Sequence, residues 1–360
     1  MSDTLRVGIA GCGKVAELIA AAAGQSRLGE LVAAASRTPA KAEAFAERHG
    51  IAAYSSIEQM VQESPVDAVI VCTPHPAHAA PTVEALKAGA HVLVEKPMAA
   101  SLDDCDLMMA TADETGRLLG VISQRRFYAP AMRIRNAIDE GRLGKPILGS
   151  AIMYGWRDQN YYDSDPWRGS WAGEGGGVLV NQAPHPLDLL LWYMGDVEEL
   201  FGYWDNFNHP TIEVDDTAVA VLRFKSGALG HIVVTNSQNP ALYARNMIHG
   251  DNGATVGVQT DGGQMFVAGM SEIVEAPVND VWTIAGEARN LPGWQREDRA
   301  LFEQTNAMEH YHCMQIEDFL GAVIDEREPL VTAAAGRKTV ELFTAIYRCQ
   351  QRHQPVRFPL

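Results

Sequence analysis

Short apolar runs alternate with segments of helical spacing over the first third of the chain. The apolar runs lie at residues 5–10, 31–36, 67–73, 91–95 and 118–123, and the helical segments lie at 15–23, 41–48, 82–88 and 101–115. Short strands separated by helices of about ten residues are typical of βαβ units that build a parallel sheet. The pattern therefore predicts an α/β domain with a doubly wound parallel sheet over residues 1–123.

A different pattern begins near residue 124. Residues 217–224 and 228–235 are strand-like segments, interpreted as having period 2, on either side of a glycine-containing turn, which predicts a β-hairpin. Further strand-like segments predict an α+β second domain over residues 124–360 with an open, mostly antiparallel sheet; they lie at 245–250, 254–258 and 264–267. Residues 278–304 show no clear period and are expected to form a long loop. Helical spacing returns at 309–325 and 333–350, and the last helix is expected to pack back on the first domain.

Composition narrows the class of protein. The chain has 360 residues, 47% of them apolar and 21% charged, as in soluble globular proteins of two domains. Its 45 acidic residues against 29 basic ones give a net charge of −16, which disfavours nucleic acid or an anionic membrane as partner. The sequence has no apolar run of about 18 residues and no signal-like start, so we expect no membrane span and a cytoplasmic location.

The cysteines and histidines give no metal pattern. The five cysteines are scattered and never spaced C-x-x-C, so they are interpreted as reduced thiols rather than disulfide partners. His310, His312 and Cys313 lie close together, but histidines two positions apart do not share a helical face. We therefore expect no metal site.

A G-x-G-x-x-A motif follows the first predicted strand. Gly11 suits a tight turn, Gly13 lets the backbone approach a pyrophosphate, and Ala16 lets the next helix pack closely. The start of that helix, Lys14 and Val15, offers unpaired N–H groups to phosphate. In this strand–turn–helix context the motif predicts a Rossmann dinucleotide site.

The end of the second predicted strand bears on the choice of cofactor. An NAD site usually places an acidic residue there to bind the ribose hydroxyls, whereas this chain has Ser36 and Arg37. Arg37 can bind a 2′-phosphate, so the residues favour NADP over NAD as the NAD(P) cofactor. A solvated arginine at a helix start is the alternative.

Two segments carry candidate catalytic groups. Lys96 lies in Glu95-Lys96-Pro97, at the carboxyl end of a predicted strand, where open α/β sheets bind their ligands. After the glycine run 175–177, Asn181, His185 and Asp188 have i, i+4 and i+7 spacing, although two prolines make a regular helix doubtful. His185 is the natural general base, and Asp188 is a candidate to fix its tautomer. A surface lysine and an ordinary histidine are the alternatives.

Aromatic and polar residues cluster ahead of the glycine run. Tyr154, Arg157 and Tyr161 belong to this cluster and suit a carbohydrate, whose rings have apolar faces and many hydroxyls. Aromatic packing around a loop is the alternative. Binding residues are often carried on loops, which favours a substrate role.

Taken together, these motifs resemble those of the Gfo/Idh/MocA oxidoreductases, the family of glucose–fructose oxidoreductase and inositol dehydrogenase. The resemblance runs over nearly the whole chain, from the glycine motif to the tail that ends near Pro359. It implies a Rossmann domain, a second domain whose open sheet is used for homodimer or homotetramer packing, and hydride exchange between a nicotinamide and a sugar or polyol carbon. It identifies Lys96 as the catalytic lysine, often followed by a cis proline. It also implies cofactor contacts for Thr73, Pro74, His78, Glu95, Gln124, Trp167 and Arg168.

One position departs from the family pattern. Many relatives have aspartate four residues before the histidine, where this chain has Asn181. An amide does not take a proton as a carboxylate does, but it still orients a hydroxyl. We therefore expect Lys96 and His185 to act on one alcohol oxygen, with His185 as the base. The alternatives are a glycosidase that oxidises its sugar transiently with bound NAD, and a non-catalytic cofactor sensor.

Overall fold

In this computed structural model, the described residues are 4–262 and 266–360. They form two compact units. The first unit contains residues up to 124 together with 307–337, and the second contains residues 125–306 together with 338–360. This grouping differs from the simple division at residue 123 that the sequence suggested, because a late helix joins the first unit.

The first unit is built on a parallel sheet. Its strands are β1 (Leu5–Ala10), β2 (Gly29–Ala35), β3 (Ala52–Tyr54), β4 (Ala68–Val71), β5 (His91–Val94) and β6 (Leu119–Val121). Their order is β3-β2-β1-β4-β5-β6, which confirms the doubly wound sheet. The order reverses between β1 and β4, and ligands of such folds bind beyond the carboxyl ends of the strands at that point. The short strand β3 was not predicted.

Helices connect these strands. They are α1 (Lys14–Ala23), α2 (Pro39–His49), α3 (Ile57–Glu63), α4 (Ala79–Lys87) and α5 (Leu102–Thr115). Local sequence sets their ends: the Ser101 side chain accepts a hydrogen bond from Asp104 N at the start of α5, and Gly116, with φ of 62°, ends that helix.

The second unit contains the other sheet. Its helices are α6 (Ala129–Asp139), α7 (Gln159–Asp163), α8 (Trp171–Glu174), α9 (Val178–Asn181), α10 (Pro184–Met194) and α11 (Leu291–Gln304). Its strands are β7 (Pro146–Tyr154), β8 (Val197–Asp205), β9 (Thr217–Phe224), β10 (Leu229–Thr235), β11 (Tyr243–Gly250), β12 (Thr255–Thr260), β13 (Val278–Trp282) and β14 (Val356–Arg357).

This sheet is mixed but mostly antiparallel, as predicted. The strand order is β13-β12-β11-β7-β10-β9-β8-β14, and among the described strands of this sheet only β7 and β10 pair in parallel. The predicted hairpin is present as β9 and β10. Alternate positions of β9 are buried, so one face of the hairpin lies against the core and the other does not.

The expectation of a long loop over residues 278–304 was wrong. Strand β13 pairs with β12 at the sheet edge, and α11 follows it. Arg133 holds α11 through two hydrogen bonds of 2.7 Å to the Asp298 carboxylate. Trp282 and Trp294 pack edge to face with their ring centres 5.0 Å apart. These partners lie far from α11 in sequence or across a turn, so the periodicity of the segment did not reveal them.

Of the predicted strand at 264–267, residues 264 and 265 lie outside the described residues. Val267 forms an isolated bridge with Ser271.

Helix α12 (Ala307–Ile324) belongs to the first unit because its side chains complete that unit's core. Phe319 is 2% exposed and packs so closely on Gly120 that a Cβ there would lie 2.9 Å from its ring. Gln315 pairs with the backbone at the end of β6, because its Nε2 donates to Val121 O at 2.8 Å and its Oε1 accepts from Ser123 N at 2.9 Å. This helix was predicted as 309–325, but its place in the first unit was not.

The final helix is α13 (Ala333–Arg352), close to the predicted 333–350. Its residues up to 337 group with the first unit and those from 338 with the second. None of the helices in the described part of the chain is long and apolar enough to cross a membrane.

The packing of α12 gives a stability prediction. Phe319→Ala empties a fully enclosed site, so we expect the free energy of unfolding to fall by about 3–5 kcal/mol. Met314→Ala, on the exposed side of the same helix, should change it by no more than about 0.5 kcal/mol. Urea unfolding followed by circular dichroism measures both, and equal small effects would show that α12 does not contribute to the core.

Candidate active site

The turn between β1 and α1 has the geometry of a phosphate cradle. Gly11 has φ of 96°, and a Cβ there would lie 3.0 Å from the backbone of Cys72 and Thr73. A Cβ on Gly13, by contrast, would meet no atom within 4 Å among the described residues. Gly13 is also the N-cap of α1 and has no side chain with which to cap it. The open space at Gly13 and the start of α1, at Lys14 and Val15, fit a pyrophosphate.

The end of β2 carries no acidic side chain. Ser36 follows the strand, and its hydroxyl accepts a hydrogen bond from Thr38 N at 3.2 Å. Arg37 is exposed. The structure thus leaves a guanidinium where an NAD site usually has a carboxylate.

His78 joins the loops that follow β4 and β5. It is 0% exposed, and its ring nitrogens lie 2.7 Å from Thr73 O and 2.9 Å from Pro97 O. Burial lowers its pKa, an effect that these carbonyls partly offset. His78 therefore fixes the backbone of both loops at the carboxyl edge of the sheet, where the cofactor is predicted to bind. A direct contact between His78 and the cofactor stays a prediction. Thr73 is itself held, because its hydroxyl donates to Ala77 O at 2.9 Å.

Lys96 follows β5 at the same edge of the sheet. The buried Glu95 carboxylate accepts a hydrogen bond from Lys96 N at 2.9 Å, and the Lys96–Pro97 peptide is cis, as the resemblance implied. Burial raises the pKa of Glu95, and the charge of Lys96 opposes this. With His78 bound to the Pro97 carbonyl, the backbone at Lys96 is fixed from both sides.

His312 is a neighbour of Lys96 that sequence reasoning considered only as a metal ligand. It lies on α12, and its Nδ1 donates to Met308 O at 2.6 Å. Burial lowers its pKa to about 4, and the positive charge of Lys96 acts in the same direction. A neutral imidazole therefore accompanies the ammonium. Among the described residues, no group of His, Cys, Asp and Glu is arranged to hold a metal ion.

Gln124 ends the first unit with an unsatisfied atom. Its side chain is buried, and its Oε1 has no hydrogen-bond partner among the described residues. A buried amide oxygen without a donor is costly unless a ligand or water satisfies it. The predicted place of Gln124 near the cofactor stays a prediction.

The glycine run 175–177 fits a crowded turn. Gly175 ends α8 with φ of 85°, and a Cβ on Gly176 would lie 2.4 Å from both Val180 Cγ2 and the Tyr347 hydroxyl. A Cβ on Gly177 would lie 1.8 Å from Asp215 O. Each of the last two positions therefore excludes any side chain.

Asp215 fixes the turn that follows. Its Oδ1 accepts from Gly177 N at 2.8 Å and from the Tyr347 hydroxyl at 2.6 Å, and its Oδ2 accepts from Leu179 N at 3.0 Å. The carboxylate thus caps α9, which ends at Asn181. Burial raises the pKa of Asp215, and these three donors oppose the rise.

The segment 181–188 is not one helix. Helix α9 ends at Asn181 and α10 begins at Pro184, so the i, i+4, i+7 spacing spans a break. Pro184 occupies the first helical position, where a missing N–H costs nothing. His185 is half-buried in the first turn of α10.

Asp188 has a partner that the sequence did not indicate. Arg126 donates from Nε and Nη2 to the two oxygens of its carboxylate at 2.8 and 2.6 Å, and both side chains are buried. The structure therefore makes Asp188 a counter-ion of Arg126. Its predicted hold on the His185 tautomer remains a prediction.

Predicted residues meet around the Tyr161 hydroxyl. Asn181 Nδ2 donates to this oxygen at 2.8 Å and Gln182 Nε2 donates at 2.9 Å, while Arg168 Nη1 donates to it as well. The Arg168 guanidinium also lies 4.2 Å from the Tyr161 ring centre and 4.3 Å from that of Trp167. Four predicted residues thus form one cluster, namely Tyr161, Trp167, Arg168 and Asn181. The sequence missed two further members, Gln182 and Glu174, the second of which accepts a hydrogen bond from Asn181 Nδ2.

Arg157 lies beside the same cluster. Its guanidinium is 5.1 Å from the Tyr161 ring centre and donates to Trp156 O at 2.8 Å and Phe266 O at 3.2 Å. Tyr154, at the end of β7, instead packs edge to face on Tyr243, 5.9 Å between ring centres. Tyr154 is thereby engaged in aromatic packing across the sheet.

A buried ion pair holds the backbone of Arg157. His209 Nδ1 lies 2.8 Å from an Asp216 oxygen, and its Nε2 lies 2.7 Å from Arg157 O. Burial opposes protonation of His209, but Asp216 and the Arg157 carbonyl outweigh it and raise the pKa of His209. Burial likewise opposes ionisation of Asp216, but its pKa is lowered, since His209 and the amides of Asn208 and Phe207 all donate to it.

Two family models match the sequence. One, described as an oxidoreductase family with an NAD-binding Rossmann fold, matches residues 5–123, and the other, the GFO/IDH/MocA C-terminal domain, matches residues 131–256. Together the two matches span more than half of the chain.

Individual proteins are similar as well. A 1-carboxy-3-chloro-3,4-dihydroxycyclohexa-1,5-diene dehydrogenase of Comamonas testosteroni is 34% identical over 63% of this chain and 57% of its own length. A 1,5-anhydro-D-fructose reductase of Ensifer adhaerens is 30% identical over 62% of this chain and 66% of its own length. The chain thus matches less than two thirds of the length of each.

A solved structure is similar over the whole length. The WlbA dehydrogenase of Bordetella pertussis, in complex with NADH and UDP-GlcNAcA, has a TM-score of 0.87 and 29% identity. The similarity covers 100% of this chain and 99% of that one.

The His209–Asp216 pair predicts how stability depends on pH. Because the pKa of His209 is raised in the folded protein, its contribution is full below the unfolded pKa of about 6.5 and is lost as pH rises through the folded pKa. His209→Gln should therefore lower the free energy of unfolding more at pH 5.5 than at pH 9. Urea unfolding at both pH values measures this, with the exposed His353→Asn as control. A His209→Gln effect of equal size at the two pH values would contradict the ion pair.

Proposed function

Because the chain belongs to the Gfo/Idh/MocA oxidoreductase family, we propose that it is an NAD(P)-dependent dehydrogenase or reductase. It exchanges a hydride with a secondary alcohol or ketone of a sugar, polyol or glycoside. One observation carries this proposal. The open phosphate cradle at Gly13 follows β1, and Lys96 follows β5, so both lie at the carboxyl edge of one parallel sheet.

The described residues fit a dinucleotide. Gly11, Gly13 and the first turn of α1 bind its pyrophosphate, and the Gln124 oxygen gains a donor. The remaining contacts that we propose come from Ser36, Arg37, Thr73, Pro74, Glu95, Trp167 and Arg168. When bound, the nicotinamide supplies or accepts the hydride.

We assign the acid–base chemistry to two side chains. His185 takes the hydroxyl proton when the alcohol is oxidised, since a neutral imidazole suits this near pH 7. Lys96 donates a hydrogen bond to the same oxygen and stabilises its developing negative charge. Asn181 orients the hydroxyl. Glu95 and His78 keep the Lys96 backbone in place.

The substrate is a small carbohydrate-like molecule in this proposal. Arg157 and Tyr161, which lie together beside Asn181, support a site for a hydroxylated ring, and Tyr154 is assigned to its border. The similar proteins named above are dehydrogenases or reductases, and none of these three is a glycosidase or a sensor.

We propose NADP as the preferred cofactor. Arg37 is exposed at the end of β2, and Ser36 takes the place of the usual acid. The WlbA structure contains NADH, which is a property of that protein.

The open sheet face is the proposed subunit interface. Apolar side chains of neighbouring strands are exposed there, namely Tyr203, Val219, Val221 and Leu229. Such a contiguous patch marks an interaction surface. The homo-oligomeric state and the cytoplasmic location stay predictions.

Turnover tests the function directly. We expect the protein to change nicotinamide absorbance with at least one of 1,5-anhydro-D-fructose, myo-inositol or UDP-GlcNAcA. Lys96→Met and His185→Asn should each lower kcat/KM by about 10²–10³-fold. The exposed Lys145→Met is the control and should leave kcat/KM unchanged. Near-full turnover in both site variants would overturn the assignment, and no hydride transfer with either cofactor on a wider panel of sugars and polyols would overturn the function.

Cofactor binding tests the role of Arg37. We expect NADPH to bind more tightly than NADH, and Arg37→Ala to weaken NADPH about 10- to 100-fold because a charge-assisted hydrogen bond is lost. NADH affinity should stay within about twofold. Fluorescence titration measures all four constants. A tighter NADH complex in the unaltered protein would contradict the preference.

A further inference from the structure

A buried carboxylate contacts the amide at the position where many relatives have aspartate. Glu174 is 1% exposed. Its Oε2 accepts a hydrogen bond from Gly169 N at 2.7 Å, and its Oε1 accepts one from Asn181 Nδ2. Both oxygens of Glu174 therefore act as acceptors.

These contacts fix the orientation of the Asn181 amide. A primary amide has two N–H donors and one carbonyl acceptor. One N–H of Asn181 is directed to Glu174 and the other to the Tyr161 oxygen at 2.8 Å. Turning the amide over would bring its carbonyl oxygen against the carboxylate, so the observed arrangement directs Oδ1 away from Glu174 and Tyr161.

The rest of the cluster supports the same arrangement. Arg168 and Gln182 also donate to the Tyr161 oxygen, so this oxygen is surrounded by donors and serves as an acceptor. Burial raises the pKa of Glu174, while the N–H donors of Gly169 and Asn181 and the charge of Arg168 oppose the rise. Asp215 is the acidic group that adds to it.

We propose that Glu174 is a positioning residue of the reaction: it holds the Asn181 amide so that Oδ1 accepts the hydrogen bond of the substrate hydroxyl. This inference rests on the proposed function and adds a residue to it. Glu174 acts through Asn181 and touches neither substrate nor cofactor in this proposal.

The contact also explains why asparagine fits at position 181. An aspartate there would put two carboxylates in hydrogen-bond distance inside the protein, and one of them would have to be protonated. Glu174 and Asn181 are therefore matched. Glutamine at 174 with aspartate at 181 would be matched as well, because the glutamine oxygen would accept from Gly169 N and its amide would donate to the aspartate.

Three variants test this pairing: E174Q, N181D and E174Q/N181D. In E174Q the glutamine amide faces the Asn181 amide, which has to turn over and present a donor to the substrate. In N181D two carboxylates meet. We expect each single variant to lower kcat at least about tenfold, since a misplaced hydroxyl is costly, with the Kd for the reduced cofactor unchanged.

The double variant separates positioning from simple damage. We expect E174Q/N181D to recover most of the kcat lost by either single change, and its pH profile to gain a limb from the new aspartate. Losses that multiply in the double variant would overturn the proposal. Kinetics use the panel substrate that the unaltered protein turns over, and thermal unfolding monitors the fold.

A second cycle covers the case in which N181D or E174Q/N181D does not fold. In an N181A background, E174Q should cause no further loss of kcat, because Glu174 has no amide left to position. A further tenfold loss there would overturn the proposal. E213Q is the matched control, since Glu213 accepts from Trp171 N at 3.3 Å on an exposed turn of the same unit, and it should leave kcat unchanged.

Different outcomes overturn the proposed function and the role of Glu174. If the unaltered protein transfers no hydride on a wide panel, the proposed function fails. If it is active and E174Q retains full kcat, only the role of Glu174 fails.

Discussion

The Asp215 carboxylate is the interaction on which the second unit depends. It is buried and ties the segment before β9 to the amides of Gly177 and Leu179, and to Tyr347 on the last helix. Three chain segments far apart in sequence are thereby joined at one carboxylate. Because α9 starts from these amides, the position of Asn181 follows from Asp215. The two glycines 176 and 177 are required by the same crowding, since the space of their side chains is filled by Tyr347, Val180 and Asp215.

The first unit fixes its lysine differently. There the regular sheet determines where β5 ends, and two local contacts then define the backbone at Lys96. Glu95 accepts from the amide of Lys96, and His78 reaches the carbonyl of Pro97 from the neighbouring loop. The flexible side chain of Lys96 thus extends from a fixed backbone, which limits the conformational entropy lost when its ammonium binds a partner.

Much of the fold could be predicted from the sequence, because local sequence patterns specify many of its strands and helices. The buried strands β1, β4 and β5 are short apolar runs, and the two strands of the hairpin β9–β10 flank a short turn that contains Gly227. Strand β13 and helix α11 were not predicted from the sequence, because they are held by contacts between distant residues, such as that of Arg133 with Asp298. Strand β3 has three residues, too few for any period to show.

The candidate site divides in the same way. Short sequence motifs contain Gly11, Gly13 and Lys96, and the chemistry of these motifs can be recognised from the sequence alone. The pairing of Asp188 with Arg126 joins residues 62 positions apart, and no regular spacing in the sequence predicts it. Glu174 stands seven positions before Asn181, yet the two meet through a glycine turn rather than along a helix.

The packing of α12 on the first unit matters when segments are exchanged between members of the family. The segment that binds the dinucleotide is not one continuous stretch, because Phe319 and Gln315 complete its core from the far end of the chain. A chimera that exchanges only residues 1–124 between two family members would pair a foreign sheet with a native helix. Exchange of cofactor preference by whole-module transfer therefore has to carry residues 307–337 as well.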